Sequence, residues 1–366
     1  MSEQDKTSNV VFKGWMGSDK DALQNGLKIG SFEPKKWKET DVDVKVTHCG
    51  VCFSDVCTLR SGWGPTLYPC CVGHEIVGTV VRVGNLVKRN ISVGDRVGVG
   101  PVVYACSQRD CSECSRGMIA YCPRRVANYN GILPDGSKTY GGFANYCRVP
   151  GDAIIRIPKA LDSVSAAPML CAGITAFVPL KEFAEQSKRV GVIGIGGLGH
   201  FGILLAKAMG FEQVVAISRR ENKRMDALNL GADDFIATED EEDWDIKHAA
   251  SLDLIVSTVS AADMPLNKYL GLLRSGGHFC IIGIPEAPLP PLDVFPLVER
   301  KVSIHFNDIG SVYETEKLLE FAVEKDVQPW VEERKMKDIN KVLNELQEGN
   351  ARYRYVMASD SSDFES

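Results

Sequence analysis

The chain has 366 residues and a formal net charge of −6. At roughly 150 residues per domain this length predicts two domains, and the acidic charge argues against a nucleic-acid binder, which needs a basic face. Apolar residues make up 44% of the chain and charged residues 25%, which is ordinary for a soluble globular protein.

The first residues, MSEQDKTSN, are polar and lack the apolar segment of a secretory signal. We therefore expect a cytoplasmic protein that does not associate with membranes. In a reducing compartment the 12 cysteines are expected to bind metal or to react rather than to form disulfides.

Short strands dominate the first half of the chain. Valines alternate with charged residues over 42–46, which is the period of a half-buried strand. Valine-rich runs follow at 74–84 and 95–103, and Gly-Asn and Gly-Asp turn signals separate them. This half predicts a β-barrel or sandwich with long loops.

Near residue 163 the pattern changes. A helical stretch at 163–183 precedes apolar runs that alternate with helical segments, which indicates βαβ units and a parallel sheet. The predicted strands are 190–195, 213–218, 234–237, 252–257 and 279–284, and the predicted helices are 197–209, 221–230 and 263–273.

After 301 we expect one more strand, helices near 312–324 and 336–348, and a mobile polar tail at 359–366. The apolar run 190–210 nearly has the length of a membrane span. Its glycines and two polar side chains favour a strand, a turn and a helix instead.

A glycine-rich turn follows the strand that begins at 190. Its residues are Gly194, Ile195, Gly196, Gly197, Leu198 and Gly199. Between a strand and a helix, this spacing lets the backbone approach a pyrophosphate, and the helix N-terminus offers N–H groups to it. The alternative is a glycine-rich turn without a ligand.

The end of the next predicted strand bears on the choice of dinucleotide. NAD binders usually place an acidic residue about 20 residues after the glycines, whereas this chain has Ser218, Arg219 and Lys223. A hydroxyl and two cations suit a 2′-phosphate, so we expect NADP(H). The alternative is a solvated basic start to a helix.

Four cysteines lie close together in a turn-rich loop. Cys106, Cys111, Cys114 and Cys122 have the spacing C-x4-C-x2-C-x7-C. Four thiolates suit a closed tetrahedral Zn²⁺ site, so we expect a structural zinc. The alternative is a set of unrelated buried thiols.

Several motifs together are specific. They are CGVCFSD, GHEIVG, the four-cysteine loop, GGFANY, LCAGIT, GIGGLG and NARYRYV. From about residue 40 to 358 the chain resembles the zinc-dependent medium-chain alcohol dehydrogenases, and within them the cinnamyl alcohol dehydrogenase family. Its nearest similarity is to the NADP-dependent, broad-specificity members of yeasts and fungi.

The resemblance implies an α/β fold with two domains. A GroES-like, β-rich catalytic domain at 1–165 and 310–366 would hold both zinc sites. A Rossmann domain at 166–309, with a doubly wound parallel sheet, would bind the cofactor. The family further implies two Zn²⁺ per subunit and a homodimer.

The resemblance also assigns roles to residues that spacing alone does not identify. It makes Cys52, His74 and Cys171 the catalytic zinc ligands, with Glu75 nearby and able to coordinate transiently. Asp55 matches an acid that orients the histidine, and Ser54 is expected to carry the proton. The implied cofactor contacts are Thr175, Thr258, Val259 and Gly283.

The chain departs from the family pattern at a few positions. The x4 gap makes Cys106 the least certain structural ligand. Cys57 stands where many members have a relay histidine, and a thiol with a pKa near 8.5 carries protons poorly at neutral pH. Ala127 replaces a tryptophan and should open the substrate pocket, while Trp63 should supply aromatic surface. Asp308 replaces an apolar residue without an evident reason.

The expected activity is the interconversion of aldehydes and primary alcohols, aromatic and medium aliphatic, favouring aldehyde reduction by NADPH. The alternatives are a polyol or secondary-alcohol dehydrogenase and a non-catalytic protein that binds zinc and NADP.

Overall fold

The structure, a computed structural model, describes residues 10–365. Its chain divides into two compact units. The first unit contains the chain up to Cys171, together with Gly310–Val323 and the chain from Val331 onward. The second unit contains Ala172–Ile309 and Glu324–Trp330. The division therefore falls after Cys171 rather than after residue 165, and a short segment near residue 327 joins the second unit.

The first unit is built on a seven-stranded sheet. The strand order is β16-β17-β3-β4-β5-β9, and β8 also pairs with β3. The strands of this unit are β1 (Lys13–Met16), β2 (Lys28–Ser31), β3 (Asp41–Val51), β4 (Glu75–Val83), β5 (Arg96–Val99), β6 (Val102–Tyr104), β7 (Val126–Ala127), β8 (Tyr146–Pro150), β9 (Ile154–Arg156), β16 (Val331–Lys335) and β17 (Arg354–Ala358). Its helices are α1 (Ala22–Asn25), α2 (Phe53–Leu59), α3 (Ser163–Pro168), α10 (Val312–Glu324) and α11 (Ile339–Gln347).

The alternation that predicted a half-buried strand holds for the valines of β3 but not for all the charges between them. Val42 and Val44 are buried in the core of this unit. Asp43 is buried as well, because Arg148 donates to both of its carboxylate oxygens at 2.6 and 2.9 Å. A buried charge requires such a partner, so the second face of the strand is covered at Asp43, while Lys45 on the same face is exposed.

The second unit is a six-stranded parallel sheet with helices between its strands. The order β12-β11-β10-β13-β14-β15 reverses direction between β10 and β13, which is the doubly wound arrangement that the sequence predicted. The strands are β10 (Arg189–Ile193), β11 (Gln213–Ser218), β12 (Asp234–Ala237), β13 (Leu252–Ser257), β14 (Leu273–Ile281) and β15 (Ser303–Phe306). The helices are α4 (Ile174–Phe183), α5 (Gly199–Met209), α6 (Arg224–Asn229), α7 (Trp244–Lys247), α8 (Leu266–Gly271) and α9 (Phe295–Arg300).

The predicted helix at 163–183 is interrupted. A π-helical turn at Met169–Gly173 separates α3 from α4. The stretch Ser163–Phe183 is the one helical segment of residues 10–365 whose length and hydropathy would allow a membrane span, and 72% of its most apolar window is buried.

The polar tail was expected to be mobile, but its residues up to 365 are ordered by a turn and a buried side chain. Ser361–Phe364 form a 3₁₀ turn in which Asp360 accepts a hydrogen bond from the Ser362 N–H. Phe364 is buried in the core of the first unit, and Lys13 donates to its carbonyl at 3.1 Å. One apolar side chain thus anchors a segment whose composition is otherwise polar.

Candidate active site

Four side chains from separate parts of the first unit converge on one point. Cys52, His74, Glu75 and Cys171 each offer a ligand atom, and these atoms lie within 4.8 Å of one another. Cys171 lies in the π-helical turn, a deviation from the α-helix that is frequent at functional sites.

Asp55 fixes the backbone around two of these residues. Cys52 is the N-cap of α2, and its N–H donates to Asp55 Oδ2 at 2.9 Å. The N–H of Gly73, which precedes His74, donates to Asp55 Oδ1 at 2.9 Å. One buried carboxylate therefore ties the start of α2 to the start of β4.

Glu75 is fully buried and pairs with Arg354 of β17. Arg354 Nη2 lies 2.5 and 2.6 Å from the two carboxylate oxygens. Burial raises the pKa of Glu75 to about 7, while the facing guanidinium favours its ionised form. A Cβ at Gly50 would lie 1.9 Å from Glu75 Oε2, so the glycine of CGVC makes room for this carboxylate.

The two nitrogens of His74 have different surroundings. Nδ1 lies 2.9 Å from the hydroxyl of Tyr129, while buried Nε2 has no hydrogen-bond partner among residues 10–365. Asp55 was predicted to orient His74, but it bonds the two backbone N–H groups, and Tyr129 occupies Nδ1 instead. Two thiols and one unpartnered imidazole nitrogen are a donor set that fits Zn²⁺ with a position left open.

The residues expected around this cluster differ in how exposed they are. Ser54 Oγ, which is partly exposed, lies 3.5 Å from Cys52 Sγ. Cys57 is buried and accepts a long contact from Arg60 Nη2 at 3.9 Å. Trp63 is 40% exposed, and Ala127 is exposed in β7.

The four-cysteine loop is brought together despite its unusual first gap. Cys106 Sγ lies 3.7 Å from Cys114 Sγ and 3.5 Å from Cys122 Sγ, and Cys111 Sγ lies 4.0 Å from Cys122 Sγ. Sulfurs around a tetrahedral Zn²⁺ with bonds of about 2.3 Å are about 3.8 Å apart, so these thiols fit the ion. Ser107, within the longer gap, has a φ of +50°.

In the second unit the glycine-rich turn follows β10 and opens α5. A Cβ at Gly199 would lie 1.8 Å from Gly194 O, and one at Gly194 would lie 2.6 Å from Thr258 Oγ1. Thr258 also donates to the carbonyls of Ile193 and Gly194 at 2.9 and 3.1 Å. A Cβ at Gly196, by contrast, would meet nothing, which leaves room for a phosphate beside the backbone.

The other predicted cofactor residues surround this turn. A Cβ at Gly194 would meet Val259 at 2.7 Å, and one at Gly283 would meet the Thr258 carbonyl at 2.7 Å. The structure thus brings Thr258, Val259 and Gly283 to the carboxyl ends of β13 and β14. Leu198 is the N-cap of α5, and the Gly197 carbonyl accepts from His200 Nδ1 in the first turn of that helix.

Of the residues expected to favour NADP, Lys223 lies beside the same turn. Ser218 ends β11, and Lys223 Nζ donates to the carbonyl of Ile195 at 2.6 Å. Arg219 is 82% exposed, with Glu239 Oε1 at 4.0 Å. Thr175 is buried in α4.

Two residues at the metal cluster were not predicted from the sequence. Tyr129 follows Ala127 in a loop and carries no spacing signal. Arg354 lies within the motif NARYRYV, which was noticed without a role. A buried carboxylate such as Glu75 requires a cationic partner, and this requirement was the available signal for Arg354.

Comparisons with known proteins agree with this geometry. Residues 38–159 match the family model "Alcohol dehydrogenase GroES-like domain", and residues 197–324 match "Zinc-binding dehydrogenase". A probable mannitol dehydrogenase of Mesembryanthemum crystallinum is 39% identical, over 94% of this chain and 93% of its own. The NADP-dependent alcohol dehydrogenase 6 of Saccharomyces cerevisiae is 37% identical, over 92% of this chain and 94% of its own.

Solved structures are similar over nearly the whole chain. A cinnamyl alcohol dehydrogenase from Sorghum bicolor has a TM-score of 0.89 and 36% identity, and covers 95% of this chain and 98% of its own. One from Helicobacter pylori, complexed with NADP(H), has a TM-score of 0.85 and 31% identity at the same coverage.

These matches define the class of protein. The chain is a member of the zinc-binding medium-chain alcohol dehydrogenases, with a GroES-like and a Rossmann-like domain, as predicted. Within that class it belongs to the cinnamyl alcohol dehydrogenase family.

Proposed function

We propose that this protein is a zinc- and NADPH-dependent oxidoreductase that interconverts aldehydes and primary alcohols. The observation that carries the proposal is the convergence of Cys52, Cys171 and the unpartnered Nε2 of His74 within one buried cluster. Three ligands of this kind suit a metal that keeps a position open for a substrate oxygen.

When bound, Zn²⁺ supplies Lewis-acid polarisation of a carbonyl or alcohol oxygen, and NADPH supplies the hydride. Cys52, His74 and Cys171 would hold the metal. Arg354 pairs with the neighbouring Glu75, whose carboxylate lies within 4.8 Å of these ligand atoms and would be able to coordinate transiently.

Ser54 is the group of this chain that handles the proton. Its Oγ lies beside Cys52 Sγ and is partly exposed, so it can give a proton to a substrate oxygen and regain one from water. In alcohol oxidation the same hydroxyl accepts the proton. Cys57, which is buried, is not used in this route.

The residues beside the glycine turn support NADPH over NADH. Lys223 Nζ lies at the carbonyl of Ile195, and Arg219 projects into solvent from the end of β11. Both cations suit a 2′-phosphate, and Ser218 places no carboxylate against it. Where NADPH is the abundant form, the reaction runs toward aldehyde reduction. The similar yeast protein is named NADP-dependent, which agrees with this choice.

We further propose that two copies of this chain form a homodimer through the β15 edge of the six-stranded sheet. β15 is the last strand of the six-stranded sheet, and no strand within residues 10–365 pairs with its outer side. Phe306 on β15 and Phe295 and Val298 on α9 are 67%, 72% and 72% exposed. Light scattering at several protein concentrations would give the oligomeric state.

The test is a panel of aromatic and aliphatic aldehydes, assayed with NADPH and NADH and ranked by kcat/KM. We expect the highest values for aldehydes with NADPH, and loss of turnover when zinc is removed. Higher values for polyols or secondary alcohols would favour the alternative dehydrogenase class. Zinc and NADPH binding without turnover of any substrate would contradict an enzymatic role.

A further inference from the structure

The hydroxyl of Tyr129 faces the catalytic cluster from behind His74. It lies 2.9 Å from His74 Nδ1, and the two rings are stacked with centroids 5.4 Å apart and planes inclined by 17°. Tyr129 is 6% exposed. The hydroxyl is therefore a fixed neighbour of the imidazole rather than a surface group that visits it.

The hydroxyl of Tyr129 can accept a hydrogen bond as well as donate one, so it can pair with the imidazole nitrogen that faces it. The carboxylate of Asp55 is engaged by the backbone, because it accepts from the N–H groups of Cys52 and Gly73. Tyr129 is therefore the side chain that holds His74 Nδ1.

This contact leaves Nε2 as the nitrogen of His74 that is available to a metal. If Nε2 gives its lone pair to an ion, Nδ1 carries the ring proton and donates it to the Tyr129 oxygen. Nε2 is also the buried atom that has no hydrogen-bond partner in the described chain. An imidazole nitrogen without a proton is the form that binds a metal ion.

We propose that Tyr129 is a positioning residue for the catalytic metal, because its hydroxyl holds His74 Nδ1 and so presents Nε2 toward Cys52 and Cys171. The proposal rests on the proposed function, since it requires that this cluster bind zinc. It gives the metal-orienting role to a tyrosine, while Asp55 holds the backbone on either side of the cluster.

The variant Tyr129→Phe removes the hydroxyl and keeps the stacked ring. Partners that orient a metal-bound histidine typically change metal affinity by about 10- to 100-fold when they are lost. In a chelator competition with the purified protein, we expect one of two zinc ions per chain to bind more weakly by that factor. The ion in the four-cysteine loop should be retained, and excess zinc should restore most of the lost activity.

Tyr355→Phe is a matched control. Tyr355 follows Arg354 in β17, so its side chain points to the opposite face of the sheet from Arg354. Both variants delete the hydroxyl of a buried tyrosine and keep its ring. We expect Tyr355→Phe to lower the melting temperature without changing the affinity of either zinc.

A second measurement does not depend on the variant folding. The chain has six histidines, so ¹⁵N-histidine spectra of the zinc-loaded wild type can be assigned. We expect the His74 proton on Nδ1, and a proton on Nε2 would overturn the proposal. Unchanged zinc affinity in Tyr129→Phe would overturn it as well, while the proposed function would stand. A wild-type protein that holds zinc only in the four-cysteine loop would overturn both.

Discussion

The preference for NADPH can be tested at Arg219 with a neighbouring control. The Arg219 side chain is 82% exposed, and that of Arg220 is 72% exposed. Both lie near Glu239, whose carboxylate oxygens are 4.0 Å from Arg219 Nε and 3.1 Å from Arg220 Nε. The two arginines thus carry the same charge and are similarly exposed, but Arg220 lies closer to the Glu239 carboxylate.

Hydrogen bonds to charged groups contribute about 1.5–3 kcal/mol, and solvent screening at this exposure reduces the value to about 1–2 kcal/mol. We therefore expect Arg219→Ala to weaken NADPH binding by about 5- to 30-fold. NADH has no 2′-phosphate, so its binding should hardly change. Arg220→Ala should alter both affinities by less than about twofold, because its guanidinium already faces Glu239.

Lys223→Ala should behave differently from Arg219→Ala. Its ammonium donates to the Ile195 carbonyl at 2.6 Å, so its loss also loosens the glycine turn. We expect weaker binding of both cofactors, with the larger effect on NADPH. The measurements are dissociation constants from tryptophan fluorescence and the ratio of kcat/KM for the two cofactors. The reasoning is refuted if Arg219→Ala keeps the wild-type ratio, or if Arg220→Ala lowers that ratio equally.

Three further predictions concern the metal sites, the proton and the pH dependence of stability. Cys52→Ser should lose one zinc and the activity but stay folded. Cys111→Ser should lose the other zinc and melt at a lower temperature, because a closed thiolate site contributes to folding. Metal analysis counts the zinc ions and calorimetry gives the melting temperature, and a single zinc in the active wild-type chain would contradict this prediction. Ser54→Ala should lower kcat by about 10²–10⁴ with zinc retained, and near wild-type turnover would remove Ser54 from the mechanism. Burial acts to raise the pKa of Glu316, but Arg156 lowers it below the ordinary value. The stability lost in Glu316→Gln should therefore be largest above about pH 5 and vanish as acid protonates the wild-type carboxylate. An equal loss of stability at low pH would contradict this prediction.

The sequence predicted best those features whose residues are close together in the chain. The glycine turn lies between a strand and a helix, and the four cysteines lie in one loop, so spacing alone identified both. The x4 gap raised a doubt about Cys106 that spacing could not resolve. In the structure Cys106 lies with the other three sulfurs despite the longer gap, and Ser107 within that gap has a positive φ.

The catalytic cluster could not be predicted by spacing because its contacts join distant segments. The contact between His74 and Tyr129 spans 55 residues, and the one between Glu75 and Arg354 spans 279 residues. The resemblance supplied the expected ligands, but it did not supply Tyr129. The identity of a hydrogen-bond partner depends on which loop covers the histidine, and that loop carries no periodic pattern.

The pairing of Glu75 with Arg354 also gives a reason for the return of the chain to the first unit after Ile309. β17 pairs antiparallel with β3, which brings Arg354 to the carboxylate of Glu75. A buried charge without a partner costs several kcal/mol, so Glu75 cannot remain ionised beside the thiols until β17 has docked. The metal cluster is therefore complete only when the C-terminal segment is in place, although its three expected ligands lie within the first 171 residues.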